Sequence, residues 1–277
     1  MRTLYIDAVG FWAPPLPSWH AARAAFRGEG ALLDPPLRRP APRLLASAER
    51  RRAPDGVALA LEVASEAVAA SGHAATELAS VFTSAHGDLA ITDAMCSTLA
   101  RTPMLVSPTR FHNSVHNAAS GYWTMATGCM QASTAVSAFE HSFAAGLLEA
   151  CAQCATDERA VLLVGCDVEA CGPLARVNRS RGLLALALVL APTRSERSVA
   201  ALNWSLAPGE AAAPAPRSPA AEALADNAMA DGLPLFEALA TARGDAFTMP
   251  LTASLALAVR LDHDTACNVR GAAASAG

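Results

Sequence analysis

The chain contains no lysine, because all 21 of its basic residues are arginine. This absence excludes a catalytic lysine. Uncharged apolar runs of about 18 residues or more are also missing, so the sequence predicts no membrane span. The N-terminus, MRTLYIDAVG, reaches Asp7 before any long apolar region and does not resemble a signal peptide. We therefore expect a cytoplasmic protein.

Other chemistries are excluded by missing patterns. The seven cysteines are odd in number and lack the paired spacing of a disulfide framework. Cys151 and Cys154 form a C-x-x-C sequence, but without a second pair or a nearby histidine they favour buried thiols over a zinc site. A net charge of −4 gives no indication of nucleic-acid binding. G-x-G-x-x-G, phosphate-loop and G-x-S-x-G motifs are absent, so no cofactor and no serine hydrolase is predicted.

Apolar residues make up 52% of the 277 positions, enough for a sizeable core. Apolar runs typical of strands alternate with helical patterns, which predicts an α/β fold. The continuous runs at 160–165 and 181–191 predict parallel strands covered on both faces. Residues 249–261 predict one last strand. Residues 207–221, APGEAAAPAPRSPAA, predict a flexible linker or long loop.

The most informative stretch is residues 111–150. Residues 133–138 are small and β-branched, which suits a tight strand, and the pattern after His141 predicts a helix with one buried stripe. A strand that enters a buried helix is a common place for a nucleophile, because the first helical turn offers free N–H groups. The spacing Ser137-x-x-Glu140 also fits an ordinary helix capping box.

Histidines are concentrated in the same stretch. His112 and His116 are four residues apart, so a helix would place them on one face. However, Asn113, Ser114 and Asn117 favour an irregular turn. With no aspartate or cysteine to complete a ligand set, we predict no metal site and expect these histidines to satisfy buried backbone groups.

Several segments give the chain a family resemblance. It resembles the first half of a β-ketoacyl synthase of the thiolase fold, and more closely the short synthase-like subunits, called chain-length factors, of aryl-polyene and xanthomonadin-type pigment clusters. The segments that carry the resemblance are residues 50–52 (RRR), 81–88 (VFTSAHGD), 107–109, 111–117 (FHNSVHN), 121–123 (GYW), 142–150 and 161–165.

The resemblance implies a position for the nucleophile. When the family's frame is laid on without gaps, its asparagine falls on Asn117, its glycine on Gly121 and a serine on Ser133. The catalytic cysteine then falls on Glu140, and a shift of one residue would place it on Phe139. Neither residue can form the thioester of a condensing enzyme, so the resemblance implies no catalytic residue at this position.

The resemblance also implies a layered αβαβα thiolase-like fold with a complete first half and a truncated second half. Residues 1–195 would form the ketosynthase-like half, residues 196–262 a reduced remnant of the second half, and residues 263–277 a disordered tail. The second half of a synthase supplies two catalytic histidines, whereas His263 is the only histidine here after His141. The implied function is a non-catalytic chain-length factor that pairs with a full-length β-ketoacyl synthase and meets an acyl carrier protein.

The resemblance assigns roles to two groups of residues. The candidates for the acyl tunnel and the subunit interface are Phe111, Asn117, Gly121, Ser133, Ser137, Phe139 and Glu140. The candidates for docking an acidic carrier protein are Arg50, Arg51 and Arg52, although such a run is usually a solvated basic turn. Two alternatives stay open. One is a stand-alone acyltransferase or malonyl decarboxylase that uses Glu140 or a displaced thiol such as Cys129, and the other is a decayed, purely structural homodimer.

Overall fold

Eight strands form one mixed sheet in the computed structural model, which describes residues 1–263. The strands are β1 (Arg2–Trp12), β2 (Ala79–Thr83), β3 (Ser133–Val136), β4 (Val161–Asp167), β5 (Leu184–Ala191), β6 (Ala200–Pro208), β7 (Ala246–Thr252) and β8 (Leu255–Asp262). Their order across the sheet is β3-β2-β4-β5-β1-β6-β8-β7. The second half of the chain therefore adds its strands to the same sheet, through the pairing of β6 with β1.

Helices cover both faces of the sheet. They are α1 (Trp19–Phe26), α2 (Ser47–Arg52), α3 (Asp55–Ser71), α4 (Leu89–Arg101), α5 (Pro108–Ser114), α6 (Ala118–Thr127), α7 (Ser142–Asp157), α8 (Pro219–Glu222) and α9 (Leu233–Thr241). Helices α3 and α6 pack on one face, and α1, α7 and α9 pack on the other. Within residues 1–263, no helix combines the length and apolar character needed to cross a membrane.

The alternation of side chains along the strands explains how one sheet separates two cores. In β4, Leu162 and Val164 belong to the core under α3, whereas Leu163 belongs to the core under α7. A strand buried on both faces needs apolar residues at every position, which accounts for the continuous apolar runs in β4 and β5. Residues 1–263 therefore form three layers, with the sheet between two layers of helices.

Two strand predictions are wrong in detail. The segment predicted as a parallel strand at 181–191 is β5, and it runs antiparallel to both β4 and β1. No crossover α-helix lies between β4 and β5, so the chain returns in the opposite direction. The single last strand predicted at 249–261 is the antiparallel pair β7 and β8, because Ala253 and Ser254 reverse the chain between them.

Two loop predictions are also corrected. The linker predicted at 207–221 is partly regular, because β6 continues to Pro208 and α8 begins at Pro219. The end of this segment is fixed by the buried Glu237, whose carboxylate accepts hydrogen bonds from the backbone N–H groups of Arg217 and Ser218.

The irregular turn predicted near His112 is wrong as far as Ser114, because these residues belong to helix α5. The Ser107 side chain caps the N-terminus of this helix. The predicted domain limit at residue 195 falls between β5 and β6, and residues 264–277 lie outside the described residues.

Gly10 marks the closest approach of β1 to α3, and it supplies a stability prediction. A Cβ atom at Gly10 would overlap the Val63 carbonyl oxygen, which belongs to the backbone and cannot rotate away. We expect Gly10→Ala to lower the free energy of unfolding by about 2 kcal/mol in urea titrations, because overpacking forces β1 and α3 apart.

The matched control for this prediction is Gly121→Ala in α6. A Cβ atom there would meet nothing within 4 Å. Alanine is the better helix former, so this variant is expected to gain roughly 0.5–1 kcal/mol. Equal effects of the two substitutions would show that space at Gly10 is not limiting.

Candidate functional site

The carboxyl ends of β2, β3 and β4 lie side by side at the same end of the sheet. These three strands are parallel to one another, and ligands in α/β sheets commonly bind just beyond such ends. Three short segments follow the strands here, and they begin at Ser84, Ser137 and Val168, directly after Asp167 at the end of β4. The segments that carried the family resemblance at 81–88 and 161–165 therefore lead to the same place.

The turn between β3 and α7 contains a strained residue. A short 3-10 turn, Phe139–His141, precedes the helix, and Phe139 has φ 57°. This left-handed conformation is unfavourable for a bulky side chain, and it is held by Ser142. The Ser142 hydroxyl accepts a hydrogen bond from Ala138 N (3.0 Å) and donates one to Phe139 O (2.6 Å). The strained position of this strand-to-helix turn is therefore Phe139, one residue before Glu140.

The capping box predicted for Ser137 and Glu140 is wrong. Helix α7 begins at Ser142, and its N-cap residue, His141, makes no side-chain capping bond. The Ser137 hydroxyl instead donates a hydrogen bond to Ala85 O at 3.0 Å. The Glu140 side chain is 80% exposed and lies 4.0 Å from His141 Nε2. The 3-10 turn inserted before the helix separates both residues from the first turn of α7.

Asp167 is the centre of a buried polar network. Its carboxylate accepts hydrogen bonds from Ser84 Oγ (2.5 Å) and Ala85 N (2.7 Å), and it lies 3.7 Å from His86 Nδ1. Burial raises the pKa of Asp167, and the nearby His86 and these hydrogen bonds oppose that rise. His86 Nδ1 is also 2.8 Å from the Gly87 carbonyl, which can only accept, so Nδ1 carries a proton. The free lone pair of a neutral His86 is therefore on Nε2.

Asp231 lies beside this network although it is 64 positions further along the chain. Its Oδ2 accepts a hydrogen bond from Ala144 N (3.2 Å), the backbone of α7. Burial raises the pKa of Asp231 to about 7, and the charge of Asp167 adds to that rise. Asp231 Oδ1 and His86 Nε2 are both buried, and neither has a hydrogen-bond partner among the described residues.

These groups surround a cavity of about 540 Å³. Its polar lining includes His86, Glu140 and Asp231, and Phe139 from the strained turn forms part of its apolar wall. The residues that line it are Ala85, His86, Phe139, Glu140, Val177, Asn178, Arg179, Ala213, Pro214, Pro216, Ala225, Asp226, Asn227, Ala228, Ala230 and Asp231. Two predicted residues, Phe139 and Glu140, are thus brought together with residues that sequence reasoning did not single out.

Strand β3 is an open edge of the sheet. Among residues 1–263 it pairs only with β2, on one side. The N–H groups of Ser80 and Ser84 donate to the carbonyls of Ala132 and Val136, so alternate residues of β3 face β2. Ala135 therefore directs its N–H and C=O outward. Unpaired edges of this kind can accept a further strand.

Exposed apolar side chains lie next to this edge. Half of the 16 exposed large apolar residues in the described chain fall within residues 99–139, although this segment is a small part of it. Three of them lie on the helices α4, α5 and α6, and the other five lie in the segments that connect these helices to one another, to β3 and to α7. The helices and β3 pack against one another in succession. We call these side chains the apolar surface: Leu99, Met104, Leu105, Phe111, Val115, Met125, Met130 and Phe139. A concentration of exposed apolar side chains is typical of a protein–protein contact.

The other predicted site residues are not among those that line the cavity. Asn117 is the N-cap of α6, and its carbonyl accepts from Gly121 N at 3.0 Å. The Ser133 hydroxyl accepts from Ser80 Oγ at 3.0 Å. His116 Nε2 bonds to the Ser84 carbonyl at 3.0 Å, which ties α5 to the carboxyl end of β2. No group of three potential ligands in residues 1–263 is placed to hold a metal ion.

The three arginines of the predicted docking site differ in role. Arg50 donates to the Leu45 carbonyl at 2.9 Å and is partly buried, so it holds the local chain. Arg51 and Arg52, at the end of α2, are exposed and have no hydrogen bond or ion pair within the described residues. Any docking would therefore depend on Arg51 and Arg52 more than on Arg50.

The displaced thiol Cys129 lies away from the cavity. It is buried and donates to the Leu78 carbonyl, at the amino ends of β2 and β3. Burial raises the pKa of the Cys151, Cys154 and Cys166 thiols, to about 12 for Cys154. Thiols in this state are poor nucleophiles at neutral pH.

Comparison with known proteins identifies the family. Residues 24–253 match the profile of the β-ketoacyl synthase N-terminal domain. This chain belongs to the β-ketoacyl synthase N-terminal domain family. The family assignment and the mixed sheet confirm the predicted α/β, thiolase-like ketosynthase fold. No curated protein sequence matches the chain.

Solved structures share the fold of this ketosynthase-like chain. The complex of the ketosynthase ApeO with its chain length factor ApeC from Xenorhabdus doucetiae matches with a TM-score of 0.72 and 22% identity, covering 94% of this chain and 100% of that chain. The AntDE:AntF complex, a type II polyketide synthase ketosynthase with its acyl-carrier protein, matches with a TM-score of 0.71, 10% identity and coverage of 95% and 100%. A β-ketoacyl synthase from Burkholderia phymatum STM815 matches with a TM-score of 0.58, 15% identity and coverage of 88% and 78%.

Sequence reasoning missed His86, Asp167 and Asp231. His86 and Asp167 had a usable signal, because His86 follows the apolar strand β2 and Asp167 ends the apolar strand β4, and the carboxyl ends of both strands lie near the turn between β3 and α7. Asp231 had no such signal, because it lies in a segment without a motif and only the tertiary fold brings it to the cavity.

Proposed function

We propose that this chain is a non-catalytic β-ketoacyl synthase-like subunit of the chain-length-factor type. It pairs with an active, full-length ketosynthase in type II fatty-acid or polyketide elongation, such as aryl-polyene synthesis, and the complex meets an acyl carrier protein. The observation that carries the proposal is the open edge of β3 beside the apolar surface. The fold shared with ketosynthase and chain length factor complexes supports this choice of partner.

The turn after β3 supports a non-catalytic role. Phe139 and Glu140 lie where a condensing enzyme needs a cysteine, and neither can carry an acyl thioester. His263, the last histidine in the sequence, follows β8, whose end pairs with Ala201 at the opposite end of the sheet from the cavity. The nucleophile and the second-half histidines are therefore both missing from the site.

The proposal assigns parts to the predicted residues. Phe111 and Phe139, exposed on the apolar surface, would contact the partner and border its acyl tunnel, and Ser133 lies on the pairing edge. Arg51 and Arg52 would help to attract the acidic carrier protein. The proposal also includes a ketosynthase-like half at 1–195, a reduced second half at 196–262 and a cytoplasmic location.

Co-expression tests the pairing. The chain, tagged, is purified together with a full-length ketosynthase from the same host, and the complex is weighed by light scattering. A complex close to one to one is the expected result. Recovery of this chain alone, or as a dimer of itself in the presence of the ketosynthase, would reject the proposal.

A second function is tied to Glu140, which lines the cavity. A stand-alone acyltransferase or malonyl decarboxylase would use this carboxylate or a displaced thiol. We expect intact-mass spectrometry to show no acyl adduct after incubation with acyl and malonyl carrier thioesters, because burial raises the pKa of the Cys151, Cys154 and Cys166 thiols and Cys129 is buried away from the cavity. A stable adduct, or carbon dioxide release that Glu140→Gln abolishes, would favour the enzyme instead.

A further inference from the structure

We propose that the cavity at the carboxyl ends of β2, β3 and β4 binds a small molecule with a primary ammonium group and an apolar body. This inference goes beyond the pairing with a ketosynthase and does not depend on it. It follows from the cavity walls, from two buried polar atoms without partners and from the balance of charge around them.

The cavity suits the apolar part of such a ligand. Its volume of about 540 Å³ lies within the range of small-molecule sites, roughly 300–1,000 Å³. Nine of the 16 lining residues have apolar side chains, contributed by the segment after β2, the strained turn, the loop after β4, the segment before α8 and the segment after α8. They are Ala85, Phe139, Val177, Ala213, Pro214, Pro216, Ala225, Ala228 and Ala230.

The two buried atoms without partners have matching requirements. His86 Nε2 offers a lone pair, because Nδ1 already donates to the Gly87 carbonyl. Asp231 Oδ1 accepts when the carboxylate is ionised, and Oδ2 is already used by Ala144 N. Burying an unpaired polar atom is costly, so both sites favour a ligand that donates. An ammonium group has three N–H donors and no acceptor, whereas a carboxylate ligand has only acceptors.

The charge around the cavity also favours a cation. Three acidic side chains line it, namely Glu140, Asp226 and Asp231, against one arginine, Arg179. Asp226 and Glu140 are exposed, and Arg181 lies 3.8 Å from Asp226. Asp231 is the buried member, and Asp167 behind it adds negative charge. A ligand cation would neutralise Asp231 where the described chain provides no cation in contact with it.

Isothermal titration calorimetry with hexylammonium chloride tests the proposal, with hexan-1-ol and hexanoate as ligands of the same chain length. We expect saturable binding of hexylammonium and at least tenfold weaker binding of the other two. Affinity is expected to rise about tenfold from pH 6 to pH 8, because Asp231 ionises with a pKa of about 7. The other ionisable side chains that line the cavity are His86, Glu140, Asp226 and Arg179.

Variants locate the binding. Asp231→Asn keeps the side-chain shape, and it is expected to weaken hexylammonium binding by about 10- to 100-fold at pH 8 and to remove the pH dependence. The control Asp226→Asn, at the exposed rim, is expected to change affinity by less than about threefold. Ala213→Trp, in the exposed irregular segment, fills the cavity and should abolish binding even if Asp231→Asn proves poorly folded.

Three results would overturn the inference. These are equal binding of hexan-1-ol and hexylammonium, unchanged affinity and pH dependence in Asp231→Asn, and no saturable binding to the folded wild-type chain. Pairing with the ketosynthase is measured on the same variants and is expected to be unchanged, so its loss would implicate the subunit interface and not the cavity.

Discussion

Ala135→Pro is expected to abolish pairing of this chain with its ketosynthase while leaving the fold intact. Ala135 is exposed on β3, and its N–H points away from β2. Proline removes this outward donor and places its ring where a partner strand would approach. Since no hydrogen bond to β2 is lost, edge positions of this kind tolerate proline. Surface plasmon resonance or co-purification should show affinity reduced by about 100-fold or more, from a lost hydrogen bond plus a steric clash.

The control for this prediction is Ala135→Ser, which keeps the backbone N–H and adds only a small polar group. It should pair within a few-fold of wild type. Circular dichroism and thermal unfolding of Ala135→Pro should match wild type, because the ladder between β2 and β3 is untouched. Normal pairing by a folded Ala135→Pro chain would show that β3 is not the docking edge. Substitutions in the apolar surface would then be tested for an effect on pairing.

Asp231→Asn is expected to stabilise the free chain relative to wild type as the pH rises. Burial raises the folded-state pKa of Asp231 from its ordinary 3.8 to about 7. The stability that the protonated carboxyl provides is fully present below about pH 4 and is lost as the pH rises through about 7. The whole difference corresponds to roughly 4 kcal/mol, of which about 3 kcal/mol is lost between pH 5 and pH 8. Asparagine cannot ionise, so it avoids this loss.

Urea unfolding of both proteins at pH 5 and pH 8 measures the effect. The difference in unfolding free energy between variant and wild type should shift by about 3 kcal/mol in favour of the variant at pH 8. Asp226→Asn is the control, because Asp226 lines the same cavity but its side chain is 77% exposed. A pH-independent difference for Asp231→Asn would mean that Asp231 is ionised in the folded protein throughout this range.

The Asp231 carboxylate affects both ligand binding in the cavity and the stability of the free chain. If an ammonium ligand pairs with Asp231, it supplies the missing counter-charge, and the wild-type chain gains stability on binding. The thermal midpoint of wild type should then rise with hexylammonium at pH 8, whereas that of Asp231→Asn should not. The loss of stability on ionisation and the affinity for the cation have one physical origin, which is a buried carboxylate without a counter-charge.

Most helices and strands were predictable from the sequence, because burial of an element produces a regular pattern of apolar residues within it. The uninterrupted apolar run of β5 follows from a strand covered on both faces, and the stripe that contains Phe143 and Leu147 follows from a helix covered on one. The predicted direction of strand β5 was wrong. Parallel and antiparallel central strands bury the same side chains, so the run that forms β5 could not show that it returns antiparallel to β4.

The sequence by itself determined the missing chemistry and the family resemblance. It showed that no cysteine lies between residues 133 and 142 and that one histidine follows His141. Only the tertiary structure decided that Phe139 takes the strained conformation, because this depends on the bonds that Ser142 makes in the turn. Only the tertiary structure placed Asp231 beside His86, since contacts between segments about 145 positions apart arise from the closure of the sheet and its helices and leave no periodic signal in either segment.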